Sequence, residues 1–330
     1  MVWHDFFKRR AANRSKDERE LELPSSLRLS SYAKPTVHTP KRSRAYKDSY
    51  LNRRKTIKLI DPFQNRNVVS EVQKVSEKLC VKFGSRVQLS EAWTLEFLRK
   101  HTSIPVPKVY CAFEGIKGRK YILMEHIDGE PIGDKWAEKS EAEKESLIAQ
   151  LKAIFEELRN IKHPRPGILA GVDMQALFDP RCWKGYLGFG PFAKESDFNH
   201  YLHCGMKPTS IFFSEKEVPW VTNEERAEVR KLLEMQESKQ HKICFTHGDA
   251  NSSNILVKNG KIVALIDFEV SGWYPEYWEY TTAMNVNRYD GFWKAVIPKF
   301  LAEYPEELEM EALRRKHFGA MGFRGSIPME

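Results

Sequence analysis

The chain has 330 residues, of which 41% are hydrophobic and 12% aromatic, so it can bury a sizeable core and disorder of the whole chain is excluded. The formal net charge of +8 would suit a nucleic-acid or anionic-membrane partner. Residues 1–60, however, hold 16 Lys and Arg against 6 Asp and Glu, and the remainder holds 37 against 39. The basicity therefore belongs to the first sixty residues, and a nucleic-acid partner of the nearly neutral body is not expected.

The cysteines and the apolar runs indicate a compartment. Five cysteines lie far apart, are odd in number and form no C-x-x-C pair, which favours buried thiols in a reducing compartment over a disulfide framework or a zinc ribbon. No apolar run approaches the roughly 18 residues that a membrane span needs, and the N-terminus lacks the apolar stretch of a secretory signal. We therefore predict a cytoplasmic protein without a membrane partner.

The first part of the chain is predicted to change from a tail to a small β-rich region. Residues 1–60 carry Ser, Arg, Lys and Pro with few periodic apolar positions, as in a solvated tail. Residues 79–83 are typical of a strand, and Gly84 ends it. Ser90 is the predicted N-cap of a helix over residues 91–100.

An extended link and two further strands are predicted next. The run at 104–107 contains two prolines and must be extended. Residues 109–113 and 120–127 are β-like and are joined by a turn that contains Gly115 and Gly118.

Helices dominate the rest of the chain. Ser140 and Glu143 form a predicted capping box before an apolar stripe over residues 147–158. Further helical sequence covers residues 224–235 and 292–317.

Two short β runs interrupt the helical part. They cover residues 243–245 and 262–268 and bracket Asn259-Gly260, a strong hairpin-turn signal. The order of elements predicts an α+β protein in three parts: a basic tail at 1–60, an N-lobe with a sheet and a helix at 61–127, and a helical C-lobe at 128–330.

A polar constellation beside these short strands carries the chemistry. Asp249 is followed by Asn254 five residues later and by Asp267 eighteen residues later. A carboxylate and an amide separated by a short loop, with a second carboxylate on a returning strand, can converge on a hard cation such as Mg²⁺. Protein kinases use this arrangement.

The same segment resembles a family. Residues 247–256 followed by 266–269 contain H-G-D-x-x-x-x-N and then I-D, and this signature resembles the aminoglycoside phosphotransferase family, the small-molecule branch of the kinase-like fold. The similarity runs from about Val72 to about Phe300. Three further segments resemble its fungal members in particular: 102–109, 190–192 and 271–280.

The resemblance implies a protein-kinase-like bilobal fold and a small-molecule kinase. ATP would supply the γ-phosphoryl group and a small molecule would supply the acceptor hydroxyl. Asp249 matches the catalytic residue that accepts or orients the proton of that hydroxyl. Asn254 and Asp267 match the two Mg²⁺ ligands.

The nucleotide contacts are likewise implied by the resemblance. Lys82 matches the lysine that contacts the α- and β-phosphates. Its implied helix partner is Glu91, with Glu96 as the second choice. Adenine is expected to meet backbone groups of a hinge at Met124, Glu125 and Ile127.

Several neighbouring residues have structural interpretations. His247 is expected to hold its loop by hydrogen bonds, and Glu279 is expected to brace the same loop. The pair His200 and His203 lacks a nearby fourth ligand and is expected to be structural. The aromatic residues between 273 and 280 are expected to pack in the core.

Two departures from the kinase pattern leave alternatives open. Residues 68–78 contain no glycine, so a glycine-rich loop is missing before Lys82, and a catalytically silent binding module is an alternative. Glu269 replaces the glycine of the Asp-Phe-Gly triplet, which argues against an activation-loop switch and protein substrates. A polyanion binder acting through residues 1–60 is the second alternative. A cationic acceptor would want an acidic pocket, which four residues could supply: Glu269, Glu276, Glu279 and Asp290.

Overall fold

The computed structural model describes residues 68–115, 118–285 and 290–320. The predicted tail at 1–60 lies outside these residues. The described chain divides into two compact units, the first formed by 68–87 and Val109–His126 and the second by Gln88–Lys108 and the chain from Ile127 onward.

The first unit is a four-stranded antiparallel sheet. Its strands are β1 (Glu71–Ser76), β2 (Leu79–Gly84), β3 (Val109–Glu114) and β4 (Lys120–Glu125), in the order β1-β2-β4-β3. The strands predicted for residues 79–83 and 109–113 and the start of the strand predicted at 120 are confirmed, since alternating apolar residues bounded by glycine favour this structure.

One face of this sheet carries a small apolar core. Val81, Phe83 and Tyr121 are buried together, and the rings of Phe113 and Tyr121 stack with centroids 5.1 Å apart. Because successive side chains of a strand point to opposite faces, Lys82 belongs to the other face. Lys82 is nevertheless buried, with 4% of its surface exposed.

The second unit is mainly helical. Its described α-helices are α1 (Ser90–His101), α2 (Glu141–Arg159), α3 (Glu195–Leu202), α4 (Asn223–Glu237), α5 (Trp278–Ala283) and α6 (Pro305–Phe318). Short 3₁₀ helices cover Trp136–Glu138, Gly185–Leu187, Ile211–Phe213, Ser252–Asn254, Gly291–Ala295 and Ile297–Lys299. None of the helices in the described ranges combines the length and apolarity that crossing a membrane requires.

Helix α1 belongs to the second unit although the predicted boundary lay at residue 127. Its segment is bonded to that unit, since Ser271 Oγ donates to Thr94 Oγ1 at 3.2 Å and Leu265 N donates to the Pro105 carbonyl at 2.8 Å. The predicted N-cap was wrong: the cap residue is Leu89, without a side-chain capping bond, and Ser90 is the first helical residue.

The capping box of α2 is confirmed. The Ser140 hydroxyl accepts from the Glu143 backbone N–H, and the Glu143 carboxylate accepts from the Ser140 N–H. The predicted apolar stripe faces the core at Leu147, Leu151 and Phe155, and again at Leu158. A capping box of the same kind begins α4 at Thr222.

Two small sheets position the candidate site. Strands β7 (Ile255–Lys258) and β8 (Lys261–Leu265) form a hairpin about Asn259-Gly260, and β5 (Glu130–Pro131) pairs with β7. Strand β6 (Ile243–Thr246) pairs instead with β9 (Gly272–Pro275). The prediction that residues 243–245 flank the hairpin turn was therefore wrong, because a two-residue turn joins only the strands that directly adjoin it.

The core of the second unit is rich in aromatic residues, as predicted. Trp273, Tyr274, Tyr277 and Trp278 are each at most 1% exposed. The rings of Tyr274 and Trp278 are stacked at 5.4 Å.

The helix predicted over 292–317 is interrupted. Two 3₁₀ turns precede α6, which has proline in its first turn, a position that proline favours.

A buried ionic network joins α3 to α6. The His241 ring contacts Glu195 Oε1 at 2.7 Å through Nδ1 and Glu307 Oε1 at 3.0 Å through Nε2. Burial opposes the charged imidazole, but these hydrogen bonds outweigh it and raise the pKa of His241 above its ordinary value of 6.5. Burial also opposes ionisation of Glu307, yet hydrogen bonds from Lys239 and His241 lower the pKa of its carboxyl below 4.5.

We expect this network to make folding stability depend on pH. A histidine whose pKa is raised by folding stabilises the protein fully below the unfolded pKa, and this contribution is lost as pH rises through the folded pKa. The difference in unfolding free energy between wild type and His241→Gln should therefore be larger at about pH 5.5 than at about pH 8. Urea denaturation at several pH values measures it.

The control for this prediction is His163→Gln. Burial lowers the pKa of His163, so folding disfavours its protonation and the pH dependence should have the opposite sign. Equal wild-type-to-variant differences for His241→Gln at both pH values would contradict the prediction.

Candidate active site

The loop after β6 carries the predicted catalytic residue. Strand β6 ends at Thr246, Asp249 follows three residues later, and a 3₁₀ turn over Ser252–Asn254 leads into β7. Gly248 has a φ of +81°, and a Cβ there would lie 3.1 Å from the Val270 carbonyl oxygen. Glycine therefore allows the sharp turn that presents Asp249.

His247 holds this loop by two hydrogen bonds. The Asp249 backbone N–H donates to His247 Nδ1 at 3.1 Å, so Nδ1 is the acceptor and Nε2 carries the proton. His247 Nε2 then donates to the Ile266 carbonyl at 2.9 Å. The contacts agree with the structural role predicted for His247.

Glu279 braces the same loop, as the sequence predicted. One carboxylate oxygen accepts from the His247 N–H at 2.6 Å and the other from the Gly248 N–H at 3.0 Å. Glu279 is only 1% exposed, so water cannot replace these bonds. The carboxylate therefore satisfies two buried backbone donors at once.

We expect Glu279→Gln to destabilise the protein. Glutamine keeps the volume but has one acceptor oxygen, so one buried backbone N–H loses its partner at a cost of about 1–3 kcal/mol. Chemical denaturation measures this loss. Glu276→Gln is the control, because Glu276 is partly exposed and the backbone N–H that it accepts from, that of Lys242 at 3.3 Å, lies in contact with water. Equal stabilities of the two variants would contradict the bracing role.

Asp249 and Asn254 are directly bonded. Asn254 Nδ2 donates to Asp249 Oδ2 at 2.9 Å and to the Asp249 carbonyl at 3.0 Å. Asn251 Nδ2 also donates to Asp249 Oδ2, at 3.0 Å. The Asp249 side chain is 39% exposed, so it is oriented by two amides and still accessible to a substrate. The amide oxygen of Asn254 remains as a ligand atom for a cation.

Asp267 follows β8 and adopts a left-handed backbone conformation. Its φ is +64°, which costs a non-glycine residue about 1–2 kcal/mol. The Ile266 N–H donates to the Asn254 carbonyl at 3.0 Å, which joins the Asp267 segment to the Asp249 loop. Such strained backbones cluster at functional sites, where the surrounding structure maintains them.

Three carboxylates meet around Asp267. One oxygen each of Glu91, Asp267 and Glu269 lies within 4.8 Å of the others, and Glu91 is buried. Hard cations such as Mg²⁺ prefer such oxygen donors, so the residues fit a divalent cation. The signal for Glu269 was its place two residues after Asp267; it was predicted as a candidate for an acidic acceptor pocket, and not as a neighbour of Asp267 and Glu91.

The predicted nucleotide contacts lie in both units. Lys82 is in the middle of β2, while Met124 and Glu125 end β4 in the first unit. Ile127 begins the second stretch of the second unit. The pairing of Lys82 with Glu91 and the hinge contacts stay predictions.

The residues considered for an acidic acceptor pocket each have another partner. Glu269 belongs to the carboxylate group, and Glu279 accepts from the loop backbone. Glu276 accepts from Lys242, and both oxygens of Asp290 accept from Ser252, at 2.7 and 3.2 Å. Glu276, Glu279 and Asp290 therefore serve contacts within the protein, and Glu269 lies beside two other carboxylates.

Sequence reasoning missed the charged neighbour of Asp249. Arg181 Nη1 lies 3.9 Å from Asp249 Oδ1, and its own charge is paired with the buried Asp179. His200 and His203, by contrast, have rings in edge-on contact at 5.4 Å, in agreement with a structural role. Burial, followed by the charge of His200, lowers the pKa of His203 to about 4.

Comparisons with known proteins concern the family and the fold of the chain. The model of the family described as "Phosphotransferase enzyme family" (APH) matches residues 65–314. The structure of aminoglycoside 2'-phosphotransferase-IIIa in its GDP complex is similar, with a TM-score of 0.51, 12% identity, and coverage of 76% of this chain and 80% of that one. The gentamicin complex of APH(2")-IIa gives a TM-score of 0.48 at 18% identity, covering 74% of this chain and 77% of that one.

The curated relatives match over a shorter stretch. A subtelomeric hrmA-associated cluster protein of Aspergillus fumigatus, found in two strains, is 30% identical over 83 residues, or 24% of this chain. The match spans 16% of that relative's length. The small antiparallel sheet, the larger helical part and the aminoglycoside-kinase neighbour together confirm the predicted α+β, protein-kinase-like bilobal fold. Since the family model covers most of the chain, the protein belongs to the APH phosphotransferase family.

Proposed function

We propose that this phosphotransferase moves the γ-phosphoryl group of ATP to a hydroxyl group of a small molecule, with Asp249 as the catalytic base. The observation that carries the proposal lies within the second unit. There, Asp249 is bonded to Asn254, and the Asn254 carbonyl is bonded to the segment of Asp267. A proton acceptor and two oxygen ligands for a cation are thus held on adjoining segments.

Asp249 has the surroundings of a residue that orients an acceptor hydroxyl. Two side-chain amides hold Oδ2, while the partly exposed carboxylate keeps Oδ1 for a substrate. Phosphoryl transfer through a loose transition state asks the protein mainly to align oxygens and neutralise charge. Asp249 would direct the hydroxyl toward the phosphorus and accept its proton late in the step.

Asn254 and Asp267 are the proposed Mg²⁺ ligands. The Asn254 amide nitrogen is used by Asp249, so its oxygen is the atom left for coordination, and Asp267 supplies a carboxylate. Bound Mg²⁺ would neutralise charge on the nucleotide phosphates. Glu269 adds a second carboxylate next to Asp267, which strengthens the attraction for a divalent ion.

Lys82, Glu91 and the hinge complete the proposal. Lys82 is assigned the α- and β-phosphates and Glu91 the support of that lysine, both on the family pattern. Backbone groups at Met124, Glu125 and Ile127 are assigned to adenine. The five cysteines are free thiols, which supports the proposal that the reaction takes place in the reducing cytoplasm.

Two measurements test the proposal. The thermal midpoint should rise on titration with Mg·ATP, and Mg·GTP is the parallel titration because the similar aminoglycoside phosphotransferase was solved with GDP. A coupled ATP-consumption screen of amino-alcohols, sugars, amino acids and aminoglycosides then searches for the acceptor, with Asp249→Ala as the blank. Absence of stabilisation by either nucleotide would overturn the proposal. Binding without turnover would indicate a silent kinase-like module.

A further inference from the structure

A guanidinium group contacts the Asp249 loop at the Gly248 carbonyl, and neither the catalytic signature nor the family roles include it. Arg181 stands in the irregular segment between α2 and α3, just before the 3₁₀ turn at Gly185–Leu187. We propose that Arg181 is a positioning residue that fixes the backbone and the carboxylate of Asp249. This inference rests on the proposed function of Asp249.

Arg181 is itself held by the carboxylate of Asp179. Arg181 Nε donates to Asp179 Oδ1 at 2.8 Å and Nη2 donates to Asp179 Oδ2 at 2.7 Å. The Arg181 backbone N–H also donates to Oδ1, at 2.9 Å. Asp179 is fully buried, so its charge requires this partner. A bidentate pair of this kind fixes the plane of the guanidinium group.

The fixed guanidinium group of Arg181 contacts two groups of the Asp249 loop. Arg181 Nη2 donates to the Gly248 carbonyl at 2.6 Å, and Nη1 lies 3.9 Å from Asp249 Oδ1. The Gly248 N–H donates to Glu279. Gly248 is therefore held at both its N–H and its carbonyl, by side chains of opposite charge. The carbonyl of Gly248 belongs to the peptide bond that leads into Asp249, so its orientation sets that of the aspartate.

Arg181 also places a positive charge beside the Asp249 carboxylate. Asp249 Oδ2 is held by two neutral amides, and Arg181 is the cation next to Oδ1. The positive charge attracts this carboxylate oxygen and so helps to hold it in one direction. A quarter of the Arg181 side chain is exposed, while Asp179 anchors its inner edge. Arg181 thus acts through Asp249. A substitution of Arg181 should therefore lower kcat strongly and change the affinity for the nucleotide only a little.

The test compares Arg181→Gln, Arg181→Lys and Arg181→Ala with wild type in Mg·ATP turnover. We expect Arg181→Gln to lower kcat about 10²-fold, the cost of a small misplacement of a reacting group, with KM for ATP changed less than about threefold. Lysine should recover part of kcat because it restores the charge. Added guanidinium chloride at non-denaturing concentration should raise the kcat of Arg181→Ala. Arg230→Gln, which removes a guanidinium stacked on Phe213, is the control.

A second readout does not depend on turnover. Hydrogen exchange of peptides covering residues 247–254 should become at least about tenfold faster in Arg181→Gln than any general increase seen in α2, because the loop loses its anchor at the Gly248 carbonyl. Unchanged exchange, or a kcat within threefold of wild type, would overturn the inference. So would a loss of kcat that neither lysine nor guanidinium recovers. A wild-type enzyme without turnover would defeat the proposed function, and the exchange comparison would then decide the role of Arg181.

Discussion

Replacing Asp249 by alanine is expected to lower kcat for phosphoryl transfer by about 10²–10⁴-fold, the usual contribution of a positioned proton acceptor. The carboxylate is partly exposed and bonded to two side-chain amides. After its removal, the partly exposed Asn251 can turn to water, and the buried Asn254 keeps its bond to the backbone carbonyl of residue 249. The unfolding free energy should therefore change by less than about 1 kcal/mol. Steady-state kinetics and urea denaturation measure the two quantities.

Asp128→Ala is the matched control for this experiment. Asp128 is an exposed aspartate of the same unit, and it pairs with the exposed Lys258 at the end of β7 at 2.5 Å. It should keep wild-type kcat and stability, since exposed ion pairs contribute little. An Asp249→Ala enzyme with at least one tenth of wild-type kcat would show that another group accepts the proton.

Replacing Asp267 by glycine is expected to weaken Mg²⁺-dependent binding of ATP at least about tenfold, or about 1.4 kcal/mol. Glycine removes the ligand carboxylate but suits the left-handed φ of +64°. Glycine relieves the backbone strain of about 1–2 kcal/mol that a side chain has at this φ. This gain offsets the extra conformational entropy of glycine in the unfolded chain, which costs about 0.4–1 kcal/mol. The apo protein should therefore keep its thermal midpoint, while its thermal shift at a fixed Mg·ATP concentration becomes smaller than that of wild type.

Asp267→Ala separates the two effects. Alanine removes the same carboxylate but retains the strain of a side chain at this φ, so it should be less stable than Asp267→Gly by about 1 kcal/mol. When EDTA removes Mg²⁺, wild type with ATP should show the same thermal shift that Asp267→Gly shows with Mg·ATP. If Asp267→Gly retains the full Mg·ATP shift, Asp267 is not a ligand.

Local sequence signals predicted much of the fold. The capping box at Ser140, the strand that carries Lys82 and the turn at Asn259 depend on neighbouring residues, and each is present in the structure. The brace formed by Glu279 was also expected, but only from the family resemblance, because its partners lie 32 and 31 residues away in the sequence. Residues that satisfy hydrogen bonds within a few positions leave a signal in consecutive letters.

Where the prediction was wrong, pairing over a longer distance decided the outcome. The run at 243–245 has the same β-like composition as a hairpin strand, yet it pairs with β9, whose sequence is aromatic and includes proline. The composition of a segment indicates that it favours a β-strand. Which strand it pairs with depends on which strand lies next to it in the packed protein. Ser90 has a capping side chain, but the backbone enters α1 one residue earlier.

By itself the sequence determined the family, the two-part α+β order and the spacing that joins Asp249 to Asn254 and Asp267. Only the tertiary structure brought Glu91 next to Asp267 and Glu269, and Arg181 to the Gly248 carbonyl 67 residues away. The physical reason is that the Asp249–Asn254 contact closes a loop of a few residues, whose geometry local chemistry specifies. The position of Arg181 depends on burying Asp179, which requires the packed core around it.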